Sequence, residues 1–217
     1  MSMMRRDFIV LATLAIVGMA YAGTQPGKNG SAKGSVILVV GDSLSAEYGL
    51  ARGTGWVTLL EQRLAQEKIP ATVVNASVSG DTTAGGRARL AALLKLHQPT
   101  HVVLELGSND ALRGLPLANT QDNLDWMTEQ AQAAGARVLL VGMQMPPNYG
   151  ADYGRRFASL FEAVAKERKA ALVPFLLKGV ADAPNPTALF QPDRIHPRSE
   201  AQPRMLDNVW PELRKLL

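Results

Sequence analysis

The chain has 217 residues, of which 47% are hydrophobic and 19% charged, with 23 Lys+Arg against 19 Asp+Glu. That is the profile of a globular domain long enough to bury a core unaided, and it excludes a disordered or fibrous protein. The absence of Cys excludes disulfides, thiolate nucleophiles, cysteine-ligated zinc and lipidation through a cysteine.

In chain order, Arg5 and Arg6 precede an apolar run from Phe8 to Ala22 that closes on Ala20-Tyr21-Ala22. The run has the three parts of a secretory signal and falls about five residues short of the roughly 20 that a membrane-crossing helix needs. Residues 1–22 are therefore expected to be a signal peptide cleaved after Ala22, giving a periplasmic or secreted protein with no membrane span. Arg5-Arg6 also fits a twin-arginine signal, but the Sec route is preferred. Residues 23–34, rich in Gly, Lys, Ser and Thr, read as a flexible spacer.

From Ser35 to Leu217 strand and helix signals alternate. Val36 to Val40 is a branched apolar run, the mark of a strand covered on both faces of a parallel sheet. Further strands are expected over Ala71–Val74, His101–Leu106, Arg137–Val141 and Ala171–Leu176, the last interrupted by Pro174 and hence placed at a sheet edge. Between them, apolar residues recur at helical spacing: Trp56, Leu59, Leu60, Leu64; Leu90, Leu93, Leu94; Phe157, Leu160, Phe161, Val164; and Val209, Leu213, Leu216. The alternation predicts one three-layer, doubly wound α/β domain of flavodoxin-like type around about five parallel strands.

In such sheets the ligand site lies beyond the carboxyl ends of the strands. The segments expected there are polar and glycine-rich: Gly41-Asp42-Ser43-Leu44-Ser45, Asn75 to Thr82, Gly107-Ser108-Asn109-Asp110 and, late in the chain, Asp193-Arg194-Ile195-His196-Pro197. A serine needs a base to become a nucleophile at neutral pH, and histidine is the natural one. Of the three histidines, His97 reads as a helix-end residue and His101 lies at the opposite end of a strand, which leaves His196, with Asp193 one turn away to orient its ring. Donors for a tetrahedral oxyanion are available in the Ser43 N–H, where the strand is expected to hand over to a helix, in the Gly80 N–H, within a turn that a side chain would obstruct, and in the Asn109 amide.

These four blocks, in this order and spacing, resemble those of the SGNH (GDSL) hydrolases. Asn75-Ala76-Ser77, Leu112-Arg113-Gly114 and Pro147-Asn148-Tyr149-Gly150 bring the chain closest to the bacterial thioesterase I/arylesterase/lysophospholipase group. The resemblance spans Ser35 to Leu217. It implies a serine esterase with Ser43 as nucleophile, His196 as base, Asp193 as orienter, and Ser43, Gly80 and Asn109 as oxyanion hole, with no metal or cofactor. Ser108 and Glu47 depart from the group's usual glycines; Glu47 is expected to place a carboxylate near the mouth of the site and both to bear on substrate preference. Leu112, Leu115, Pro116, Met145 and Tyr149 are candidate contacts for an acyl chain.

The expected partner is a small ester or thioester, and the expected state a monomer. Acyl transfer to a sugar or alcohol remains an alternative, and a non-catalytic binding module a weaker one. Nucleic acid is excluded, because Arg63, Lys68, Arg155 and Lys166 are spread along helices beside acids and aromatics are only 6% of the chain.

Overall fold

A computed structural model describes residues 34–217, so the expected signal peptide and all of the spacer except Gly34 lie outside the described residues. Five parallel strands, β1 (Ser35–Gly41), β2 (Ala71–Asn75), β3 (His101–Glu105), β4 (Arg137–Val141) and β5 (Ala171–Val173), form one sheet in the order β2-β1-β3-β4-β5. The branched runs in β1, β3 and β4 are buried, as strands covered on both faces must be. β5 stops before Pro174 instead of running to Leu176: proline supplies no N–H to a ladder, and the chain continues through a bond from Leu176 N–H to the Gly142 carbonyl.

Six helices cover the sheet: α1 (Trp56–Gln66), α2 (Thr83–His97), α3 (Ser108–Leu112), α4 (Leu117–Ala133), α5 (Ala151–Arg168) and α6 (Gln202–Leu216). Helix α1 packs on α6, while α4 packs on both α2 and α5, which gives the three layers. Trp56 is fully buried beneath α1, and Trp210 is buried under the Arg63 guanidinium. The four N–H groups that open a helix need acceptors, and at α2 this need ties the fold to the site: Asp110 of α3 accepts from Thr83 N–H at 2.9 Å. His101 behaves as a structural residue at the far edge, its ring between the Thr100 hydroxyl and the Leu216 carbonyl.

Asn109 is not carried on a loop: Ser108–Leu112 forms the short α3, and α4 begins at Leu117. Gly107, at φ 122, makes the turn that starts α3, a backbone conformation reserved for glycine. Nor does β1 hand over to a helix at Ser43. One helical turn forms, with Ala46 N–H donating to the Asp42 carbonyl at 3.0 Å, and it breaks at Glu47, whose φ is 58. Helix α1 starts only at Trp56.

Glu47 also does not present a carboxylate to the mouth. Its side chain accepts from Gly53 N–H, from Gly55 N–H at 2.7 Å and from the Thr58 hydroxyl at 3.0 Å, which ties the turn after Ser43 to the start of α1. Partial burial raises its carboxyl, but these three donors outweigh burial and hold it below its ordinary value. Stability from such a lowered carboxyl is present above its unfolded pKa and is lost as pH falls. Glu47→Ala is therefore expected to cost about 1–3 kcal/mol near neutral pH, and the difference from wild type should shrink on acidification, as read by urea unfolding at about pH 7 and about pH 3.

Candidate active site

The strands carry their following turns to one edge of the sheet, as the parallel architecture requires. Ser43 follows β1, Gly80 follows β2, and Asn109 lies in α3 after β3. His196 arrives from the far end of the sequence on a small loop pinned by a bridge between Phe190 and Pro197 and by Gln191 N–H donating to the His196 carbonyl at 2.8 Å. Gln191 also donates its side-chain amide to the Tyr48 carbonyl at 2.9 Å, and the Tyr48 ring lies 4.4 Å from the His196 ring.

The geometry is that of a proton relay. Ser43 Oγ lies 2.8 Å from His196 Nε2, and His196 Nδ1 lies 2.7 Å from Asp193 Oδ2. The other Asp193 oxygen accepts from the N–H groups of Ile195 at 2.9 Å and His196 at 3.0 Å, so the carboxylate is fixed before it touches the ring. Slight burial raises the Asp193 carboxyl, but the ring and the two N–H groups outweigh it and hold it at about 2. It is thus ionised at neutral pH, which fixes the proton on Nδ1 and leaves Nε2 free to accept one from serine.

Around Ser43 the oxyanion candidates are unequal. Gly80 has φ 77, and a Cβ there would meet nothing nearer than Arg113 Nη2 at 3.6 Å. The glycine is thus required by its left-handed backbone and not, as expected from sequence, by obstruction. Asn109 Nδ2 lies 3.0 Å from both Asp42 Oδ2 and the Asp81 carbonyl. Its amide is anchored within the protein, and an oxyanion would share a hydrogen already committed. Ser108 departs from glycine without consequence for this placement, because it sits in the ordinary helical backbone of α3.

Asp42 is bound at both of its oxygens. Oδ1 accepts from Leu44 N–H at 3.0 Å while Oδ2 holds Asn109. Burial pushes its carboxyl up to about 6, against lowering by the Leu44 N–H, His196 and Asn109. Glu105, at the end of β3, was missed altogether: it is fully buried, and burial followed by the Asp42 charge drives its carboxyl well above the ordinary range. The signal available in the sequence was a lone acid closing an otherwise apolar strand, His101-Val102-Val103-Leu104-Glu105.

A cavity of about 610 Å³ opens beside Ser43 and His196, walled by Leu112, Met145, Pro146, Phe175, Leu177 and Phe190. Leu112 and Met145 were expected there. Leu115, Pro116 and Tyr149 do not line it, because Pro116 leads directly into α4 and Leu115 and Tyr149 turn outward to solvent. The walls after β5, Phe175, Leu177 and Phe190, were not anticipated.

The model of the GDSL-like lipase/acylhydrolase family matches residues 39–202. The chain is 53% identical over 186 residues to the esterase TesA of Pseudomonas aeruginosa, covering 86% of this chain and 91% of that protein. It is 40% identical over 187 residues to the thioesterase 1/protease 1/lysophospholipase L1 of Escherichia coli, covering 86% and 87%. Among solved structures it superposes on a crystal structure of TesA with a TM-score of 0.81 at 54% identity, over 84% of this chain and 99% of that one.

Proposed function

Because the chain belongs to the GDSL-like lipase/acylhydrolase family and is a carboxylic ester hydrolase, we propose that Ser43 is its nucleophile, His196 its base and then acid, and Asp193 the orienter of that histidine. The observation that carries this reading is the continuous relay from Ser43 Oγ to His196 at 2.8 Å and on to Asp193 at 2.7 Å. In the first half-reaction Ser43 Oγ attacks the acyl carbonyl carbon while its proton passes to His196 Nε2. The tetrahedral oxyanion is held by the N–H groups of Ser43 and Gly80 and by the Asn109 amide. Collapse expels the alcohol or thiol, which takes the proton from His196, and leaves an acyl ester on Ser43. Water then attacks the acyl carbon while His196 takes its proton, and collapse breaks the bond to Ser43 Oγ, which recovers that proton from His196 as the acid is released.

Substrate class follows from the cavity. Its walls of Leu112, Met145, Phe175 and Leu177 are apolar and suit an acyl chain rather than a charged group, and methionine adapts to chains of different length. The activities named for the relatives, on thioesters and lysophospholipids, fit a leaving group directed out of the mouth. Among the described residues no helix is long and apolar enough to cross a membrane. Residues 1–22 act as a signal peptide in this reading, and the exported protein begins at Gly23 as N-terminal sequencing would record.

Ser43→Ala and His196→Ala should each abolish turnover of p-nitrophenyl esters while leaving the circular dichroism spectrum intact; turnover retained by either variant rejects the triad. Asn109→Ala should lower kcat about 10²- to 10³-fold at nearly constant KM, whereas a change in KM alone argues against an oxyanion contact.

A further inference from the structure

We propose that Glu105 is a positioning residue for the hydrolysis: seated beneath the turn Gly41–Ser45, it clamps that turn from below and, through Asp42, keeps the Asn109 amide aligned with Ser43. The inference rests on the reading of Ser43 and Asn109 given above, and it deepens that reading.

Glu105 Oε2 accepts from the Ser45 hydroxyl at 2.7 Å and lies 3.4 Å from the Asp42 N–H, so one oxygen ties down both neighbours of the Ser43–Leu44 pair. The approach is possible only because residue 41 is glycine. A Cβ there would lie 2.8 Å from Glu105 Oε2 and 2.8 Å from Ser45 Oγ, well inside van der Waals contact. Ser45 is held from the other side as well, its carbonyl accepting the Asn75 amide at 2.8 Å. The turn therefore has a buried acid below it and an asparagine of the next loop beside it.

The second Glu105 oxygen, Oε1, is buried and has no donor to accept from. An ionised carboxylate in that position would carry a large uncompensated cost, so burial and the neighbouring Asp42 charge favour the neutral acid. Its neighbour Asp42 supplies the negative partner. Both Asp42 oxygens are accepting, from Leu44 N–H and from Asn109 Nδ2, as an ionised carboxylate does. The titratable groups around the pair are His196 and Asp81, with Arg89 bound to Asp81 at 2.9 Å and also to the Ala76 carbonyl. The two buried acids thus divide the labour: neutral Glu105 fixes the backbone that carries Ser43, and charged Asp42 fixes the side chain that faces its oxyanion.

Four variants test this, with kcat and KM for a p-nitrophenyl ester and folding by thermal melt measured for each. Glu105→Gln keeps an oxygen to accept from the Ser45 hydroxyl and the Asp42 N–H, and is expected to hold kcat within about threefold of wild type. Glu105→Ala and Ser45→Ala release the turn and should lower kcat roughly 10- to 100-fold with KM within about twofold. A folded Glu105→Ala or Ser45→Ala with wild-type kcat overturns the proposal, as does a loss confined to KM, or a Glu105→Gln impaired as deeply as Glu105→Ala. Should Glu105→Ala fail to fold, Ser45→Ala, which leaves the acid in place, decides. Ser43→Ala separates the two levels of inference: residual turnover in it rejects the nucleophile, whereas an inactive Ser43→Ala beside a fully active Ser45→Ala rejects only the role of Glu105.

Discussion

The carboxylate of Asp42 is the joint on which the site hangs. It lies one residue before Ser43, accepts the N–H of Leu44 on one oxygen and the amide of Asn109 on the other, and so couples the turn after β1 to the helix after β3. Adjacent strands stand about 4.8 Å apart, and β1 pairs directly with β3 in this sheet, so the two loops meet without either having to reach. A hydrogen bond to a buried charge is worth more than one in water because no solvent competes for it. The same burial makes the charge costly to keep, which is why every oxygen of Asp42 is occupied.

The rest of the edge is assembled by the same rule, that a polar group withdrawn from water must find a protein partner. Arg89, from α2, donates to Asp81 and to the carbonyl of Ala76, and so holds the loop after β2 against α2. Asp110 answers the opening of α2. Asn75 reaches the carbonyl of Ser45. None of these residues faces a substrate, yet together they leave the Ser43 turn little freedom. The histidine loop is attached separately, through Gln191 to the Tyr48 carbonyl and through Gln202, whose side-chain oxygen accepts the Trp56 N–H at 3.0 Å and links the start of α6 to the start of α1. The loop that carries His196 is thus held both to the turn that carries Ser43 and to the start of α1.

Much of this was legible before the fold was known. The five strands could be placed within a residue or two, apart from the shortened β5, because a doubly covered parallel strand must be apolar on both faces and few other segments are. Ser43, Asp193 and His196 could be selected because their chemistry is restrictive: with no cysteine and three histidines, few combinations can activate a nucleophile. What was misread depended on the path of the backbone between elements. The left-handed conformation at Glu47, which stops a helix from forming after Ser43, carries no compositional mark, since Glu is no habitual left-handed residue. Leu115 and Tyr149 were expected at the cavity from the apolar character of their segments and the resemblance, and an apolar residue beside a site is as free to point away from it as into it.

The sequence by itself determined the layered α/β fold, the edge on which the chemistry gathers and the residue types able to perform it, since hydrophobic period and functional-group reactivity are both local properties. Only the tertiary structure decided which groups stand within hydrogen-bond distance. It joined Ser43 to His196 across 153 positions of chain, set the walls of Phe175, Leu177 and Phe190 around the cavity, and placed Glu105 beneath the turn that carries Ser43. The physical reason is that burial, and with it the ionisation of Glu105 and Asp42, is a property of the surroundings that packing creates and not of the residue.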